Sequence, residues 1–207
     1  MVVIDSTSVR VHPGIGSGHL LRGALGLSLV TLLGFGLAYS LVGVGLGRLL
    51  FPHTASGSLV ERDGRVVGST LVAQPFVGEG YFQSRPSAAG YDLMALAGSN
   101  QARTNPELRA RIDAAREAVA AREGVPSARV PGDLVTQSGG AIDPHISPEA
   151  ALLQVTRVAR VRGLDPGAVA AQVRAHAEAP QWGLFGQERV NVLELNLALD
   201  AAPPVVR

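Results

Sequence analysis

The chain has 207 residues, no cysteine and a formal net charge of +1, with 46% hydrophobic and 4% aromatic residues. This balance excludes disulfides and thiolate metal sites, and it lacks the basic, aromatic-interleaved surface of a nucleic-acid binder. Arginine supplies all the Lys/Arg charge, so no phosphate loop ending in Gly-Lys exists.

Residues 1–19 read as an N-terminal tail and residues 20–50 as one transmembrane helix. Arg22 and Arg48 bracket residues 23–47, which carry no charge. A bilayer core of about 30 Å needs roughly 20 apolar residues in a helix. One helix also satisfies its own backbone hydrogen bonds in lipid. The competing reading is a secretory signal, but its apolar core spans roughly 7–15 residues before a small-residue cleavage site. Ala38-Tyr39-Ser40 is a poor site inside a run that stays apolar to Leu46. Within the run, Gly36, Ser40, Gly43 and Gly47 step by four, three and four. That spacing predicts a small-residue face on which a partner helix packs closely. The plainer reading is that glycine is common in membrane helices. No ionisable group lies within residues 23–47, so the helix reads as an anchor and packing element, not an ion pathway. Arginines flank it on both sides, and their count does not set its orientation.

Residues 51–207 are the size of one domain with its own core. The pattern predicts a mixed α/β domain of the α+β type, with a small sheet and about four helices. Asp63-Gly64 between Leu59-Val60 and Val66-Val67 predicts a hairpin, its second strand running on through Leu71 and Val72 to Phe76. Residues 81–98 read as loop. Asn105-Pro106, Ser147-Pro148 and Asp165-Pro166 each place a capping residue before a proline, announcing three helices. The first carries Leu108, Ile112, Ala115 and Val119 on one face and stops at Gly124. The second carries Leu152, Val155 and Val158 and stops at Gly163. The third carries Val169 and Val173. Leu193, Leu195, Leu197 and Leu199 alternate like a strand, but Asn191 and Glu194 fit a capping box, and a final helix is the prediction.

Chemistry-bearing residues are sparse. Ser138, Asp143 and His145 are the residue types of a hydrolytic triad. Ser138 lacks the first glycine of Gly-x-Ser-x-Gly, and three members within eight residues struggle to converge. Asp143 and Ser147 are better read as turn and cap residues. His53, His145 and His176 stand singly, without zinc-ligand spacing. Gly139-Gly140 offers backbone amides to an anion or makes a simple turn. On residues alone, a tethered hydrolase using Ser138 and a free-standing anchored binding domain stay open.

The string Leu134-Val135-Thr136-Gln137-Ser138-Gly139-Gly140-Ala141-Ile142-Asp143-Pro144-His145-Ile146-Ser147-Pro148-Glu149 resembles the central motif of the C subunit of the Kdp potassium-transporting ATPase. Gln154-Val155, Arg157-Val158-Ala159, Arg85-Pro86-Ser87-Ala88, Gly98-Ser99-Asn100 and Asn105-Pro106 fit the same pattern in order. So does Arg189-Val190-Asn191-Val192-Leu193-Glu194-Leu195-Asn196-Leu197. The resemblance runs from the anchor to Asp200. It departs at Gly140, Ala141 and Ile142, where Ser-Gly-Leu is usual, at Glu188, where proline is usual, and at Ala177-Glu178, where Thr-Glu is usual.

The resemblance implies a non-catalytic subunit of a bacterial inner-membrane complex. Its partners would be a channel-like potassium-binding subunit, a P-type ATPase subunit that binds ATP, and a small membrane peptide. It implies a cytoplasmic N-terminus and an extracytoplasmic domain over residues 51–207. It also implies a role as catalytic chaperone, raising the ATP affinity of the ATPase subunit, with a nucleotide link at Gln137, Ser138, Gly139 and Gly140. No catalytic residue and no metal ligand is expected in this chain. Coupling through the membrane helix is a direct physical route to such a role, since an effector needs only differential affinity for two states.

Overall fold

A computed structural model describes residues 17–201; residues 1–16 of the expected tail and residues 202–207 lie outside them. The chain divides into two compact units, Met1–Ser56 and Gly57–Arg207.

Residues 17–50 of the first unit form one continuous helix. α1 (Ser17–Thr31), a π-helical stretch (Leu32–Ala38) and α2 (Tyr39–Leu50) follow without a break, and a single-turn helix α3 (Pro52–Ala55) ends the unit. The apolar span Gly18–Leu50 covers 33 residues, about 50 Å at 1.5 Å per residue. Its side chains are exposed throughout, from Leu20 to Leu50, which suits a surface made for lipid or for another protein. The π stretch was not legible in the 3.6-residue pattern. Tyr39 N–H donates to the carbonyl of Gly34, five residues back. Ser40, Gly43 and Gly47 share a face of regular α2, whereas Gly36 sits in the widened turn, where i→i+5 bonding replaces the α-helical period.

The second unit begins with the predicted hairpin. β1 (Leu59–Arg62) pairs antiparallel with β2 (Arg65–Ser69), with a bulge between Val60 and Glu61. Asp63 and Gly64 both have positive φ, 51° and 73°, as a two-residue turn matched to strand twist requires. The second strand does not reach Phe76. Ser69 Oγ donates to Gly57 O at 2.7 Å and accepts from Leu71 N at 3.1 Å. This local side-chain turn competes with the ladder and ends it.

All three Pro-led helices form where their caps place them. α4 (Pro106–Glu123), α5 (Pro148–Arg162) and α6 (Pro166–Ala175) start at Asn105, Ser147 and Asp165, each accepting a first-turn N–H. α4 and α5 stop at Gly124 and Gly163, at φ of 67° and 66°, the left-handed end that glycine adopts without penalty. The final segment is α7 (Val192–Ala201). Asn191 Oδ1 caps it, accepting from Leu193 N at 3.1 Å and Glu194 N at 3.3 Å. Val155 and Val158 of α5 and Val169 and Val173 of α6 are buried, but Leu152 is exposed.

A second sheet is built from pieces too short to show a period. β3 (His145–Ile146), β4 (Ala177–Glu178) and β5 (Arg189–Asn191) form an antiparallel sheet in the order β3-β5-β4. Phe82, Val158, Val173, Val190 and Leu195 are fully buried around it.

Phe82 enters that core on an irregular loop, which raises the question of its backbone partners. Side-chain amides provide them. Asn196 of α7 accepts from Phe82 N at 2.9 Å and donates to Phe82 O at 3.0 Å. Gln154 of α5 does the same for Gln83, at 2.8 and 3.2 Å. Arg157, 2% exposed in its side chain, holds both oxygens of fully buried Glu123 at 3.0 Å and donates to Tyr81 O at 3.0 Å and to Glu79 O.

Candidate functional site

The Ser-Gly-Gly to Ser-Pro segment folds as a chain of small turns, each closed by its own side chains. A single 3₁₀ turn (Gly132–Leu134) leads in, and Thr136 Oγ1 donates back to Gly132 O at 2.7 Å. Ala141 N donates to Ser138 O at 3.2 Å, closing a turn through the two glycines. Ala141 sits at φ 65°, in the left-handed region that costs an L side chain roughly 1–2 kcal/mol. This is the position where the resembled pattern has glycine. The buried methyl of Ala141 offsets about 0.8 kcal/mol of that strain.

Asp143 is the hub. Its Oδ1 accepts from His145 N at 3.0 Å and lies 3.3 Å from His145 Nδ1, and its Oδ2 accepts from Arg85 Nη1 at 2.9 Å. Arg85 also reaches Thr136 O and Oγ1, both at 3.5 Å. Burial alone pushes the Asp143 carboxyl up, but the hydrogen bonds from His145 and from Arg85, with the Arg85 charge, hold it below the usual carboxylate range. Pro144 O accepts from Val192 N at 3.0 Å, and His145 and Ile146 pair with Asn191 and Val190. The two most distinctive strings of the sequence therefore meet as β3 and β5. Asp133 then accepts from Ser147 N at 2.7 Å, and Ser147 Oγ accepts from Ala150 N at 3.0 Å to start α5. A cavity of about 480 Å³ opens here, lined by Arg85, Asp133, Asp143, His145, Glu188 and Arg189 among others.

The triad types come together without triad geometry. Ser138 is buried, and its Oγ accepts from Asp143 N at 3.3 Å rather than bonding the imidazole. The serine closes a turn. Gly139 and Gly140 are exposed, and neither takes a left-handed φ. A Cβ added at Gly98 would stand 2.5 Å from Gly139 O, so the Gly98-Ser99-Asn100 loop lies directly on this turn. Gln137 Oε1 is buried without a partner. Among the described residues no cluster of three or more His, Cys, Asp or Glu forms a metal site. His145 is held by Asp143, and His176 Nδ1 lies 2.9 Å from Gln172 O.

Residues that the sequence did not mark as a unit are Arg85, Glu123, Gln154, Arg157 and Asn196. The signal was present for two of them: Gln154 and Arg157 are polar yet fall on the Val155–Val158 side of α5, and polar groups on a core face need dedicated partners.

The sequence model of the family described as KdpC, the K+-transporting ATPase c chain, matches residues 21–201. The chain belongs to the KdpC family. A potassium-transporting ATPase KdpC subunit of Xanthomonas oryzae is 61% identical over 182 residues, covering 88% of this chain and 87% of the relative. Those of Shewanella putrefaciens and Gemmatimonas aurantiaca are 51% and 49% identical, covering 91% and 96% of their own lengths. As a KdpC subunit the chain is an accessory part of the Kdp potassium-transporting ATPase and not an enzyme by itself. One apolar N-terminal helix of membrane-spanning length and a mixed α/β unit make up the KdpC chain over residues 17–201.

Proposed function

We propose that this chain is the single-pass assembly subunit of a Kdp complex in the bacterial plasma membrane. Its N-terminus is cytoplasmic and residues 51–207 lie outside, against the channel-like potassium-binding subunit. The small-residue face at Ser40, Gly43 and Gly47, with Gly36 in the π turn that precedes it, receives a helix of a partner, either the channel-like subunit, the ATPase subunit or the small peptide. The observation that carries this reading is that Ser40, Gly43 and Gly47 share one face of α2, with open space at Gly43, as at Gly23, Gly26, Gly34 and Gly45, where a Cβ would meet no heavy atom within 4 Å. Nothing among the described residues requires glycine at Gly43, whereas close approach of a second helix does.

In this reading any gain in ATP affinity reaches the ATPase subunit through helix packing, and ATP is bound there. Potassium is bound by the channel-like subunit. The polar groups of the Ser-Gly-Gly turn support this: Ser138 Oγ and the Ala141 amide are engaged in closing the turn, and no lysine is present for a phosphate. Co-purification of tagged chain with its partners tests the proposal. Gly43→Leu is expected to reduce recovery of the complex while the soluble unit stays folded, and equal recovery would refute the packing face. Calorimetry on residues 51–207 is expected to give no ATP binding tighter than about millimolar, near −4 kcal/mol. Saturable micromolar binding abolished by Gln137→Ala or Ser138→Ala would instead establish a nucleotide site at residues 137–140.

A further inference from the structure

Between β4 and β5 the chain makes a tight apolar turn that the assembly reading does not use. Trp182, Leu184 and Phe185 are 81%, 80% and 60% exposed. Large apolar side chains clustered at one exposed tip mark a site of contact. The turn is rigid: Gln181 and Phe185 exchange backbone hydrogen bonds at 2.8 and 3.0 Å, and Gly183 N and Leu184 N donate to Pro180 O and Gln181 O. Trp182 is held at φ 55°, and its ring meets that of Phe185 edge-on at 6.0 Å. The backbone therefore presents the indole outward instead of folding it onto the core. Residues 179–187 carry no charge, and the Glu178–Arg189 ion pair at 2.7 Å closes the base.

We propose that this tip is an interfacial foot whose Trp182, Leu184 and Phe185 insert into the headgroup region of a lipid bilayer. The inference goes beyond the assembly reading and does not rest on the glycine face. Two observations favour lipid over a protein pocket. The tip is uncharged, so no ionic group is desolvated on insertion. Tryptophan is the residue whose amphipathic ring prefers the membrane–water boundary.

Trp182 is the only tryptophan of the chain and reports on its own surroundings. The full chain is reconstituted in phosphatidylcholine vesicles, with and without acyl chains brominated near the headgroups. Insertion predicts severalfold quenching of Trp182 emission by the brominated lipid and weak quenching by aqueous acrylamide. Leu184→Asp adds a charge at an exposed position outside the core and is expected to reverse both. Emission insensitive to brominated lipid overturns the proposal, as does unchanged quenching in Leu184→Asp. Protection from acrylamide that appears only when the other Kdp subunits are added assigns the tip to a protein contact and overturns it equally.

Discussion

Replacing Arg157 with alanine removes the group that ties α5 to both α4 and the irregular loop beneath Phe82. Arg157 and Glu123 have side chains 2% and 0% exposed. Deleting one member of a buried ion pair costs about 3–5 kcal/mol, because the surviving charge stays desolvated. Two features set the expected value within that range. Glu123 keeps a second partner, Arg122 Nε at 2.7 Å, which lowers the cost. Tyr81 O, Glu79 O and Gln154 Oε1 each lose an Arg157 donor, at about 1–3 kcal/mol for a buried group left without any partner, which raises it. A net loss of about 3–5 kcal/mol is expected, a large part of the roughly 5–15 kcal/mol that holds a domain folded. The assay is urea unfolding of the full chain in detergent, read by pulse proteolysis of the soluble unit. Glu123→Ala and the double variant complete a cycle, in which the pair should show coupling of about 0.5–3 kcal/mol. A loss below about 1 kcal/mol for Arg157→Ala, or strict additivity with Glu123→Ala, would refute the reasoning.

Ser147→Ala removes the α5 cap seen at Ala150 N and is expected to lower domain stability by about 0.5–2 kcal/mol in the same unfolding assay. Asp143→Asn tests the lowered carboxyl. Because the folded group titrates below its ordinary value of 3.8, its stabilisation is present above that pH and is lost as pH falls through the folded value. The gap in urea midpoint between wild type and variant should therefore be largest at pH 6 and shrink as pH falls below 3.8; a gap that does not change with pH would contradict the assignment. Gly98→Ala drives a methyl against Gly139 O, backbone that has no free end to move. It should destabilise the unit and alter amide shifts at Gly139 and Gly140, and unchanged spectra would show that the two loops do not touch. Ser138→Ala is expected to leave potassium transport nearly intact, since the hydroxyl serves a turn; loss of transport in a folded, assembled variant would assign it a chemical role.

Local chemistry determined most of the regular structure from sequence alone. The uncharged run set the long helix, because its period and length are visible in consecutive residues. Asn105, Ser147 and Asp165, each before proline, set three helix starts, and Gly124 and Gly163 two stops, because capping acts within one turn. Asp63-Gly64 set the hairpin for the same reason, and the motif strings set the family. Tertiary structure decided what distance along the chain conceals. β3 and β5 are two and three residues long, and neither has a period; they pair only because the Asp-Pro-His segment and the segment before α7 share one core. Ser69 ended β2 by bonding Gly57, a partner twelve residues away. The triad types were disqualified by direction: Ser138 Oγ faces the amide of Asp143, and only coordinates tell an amide from an imidazole. The loop carrying Phe82 looked like an ordinary connection, yet Asn196 and Gln154 satisfy its backbone from 114 and 71 residues away. A buried amide needs a partner wherever the fold brings one, and sequence order places no limit on where that partner lies.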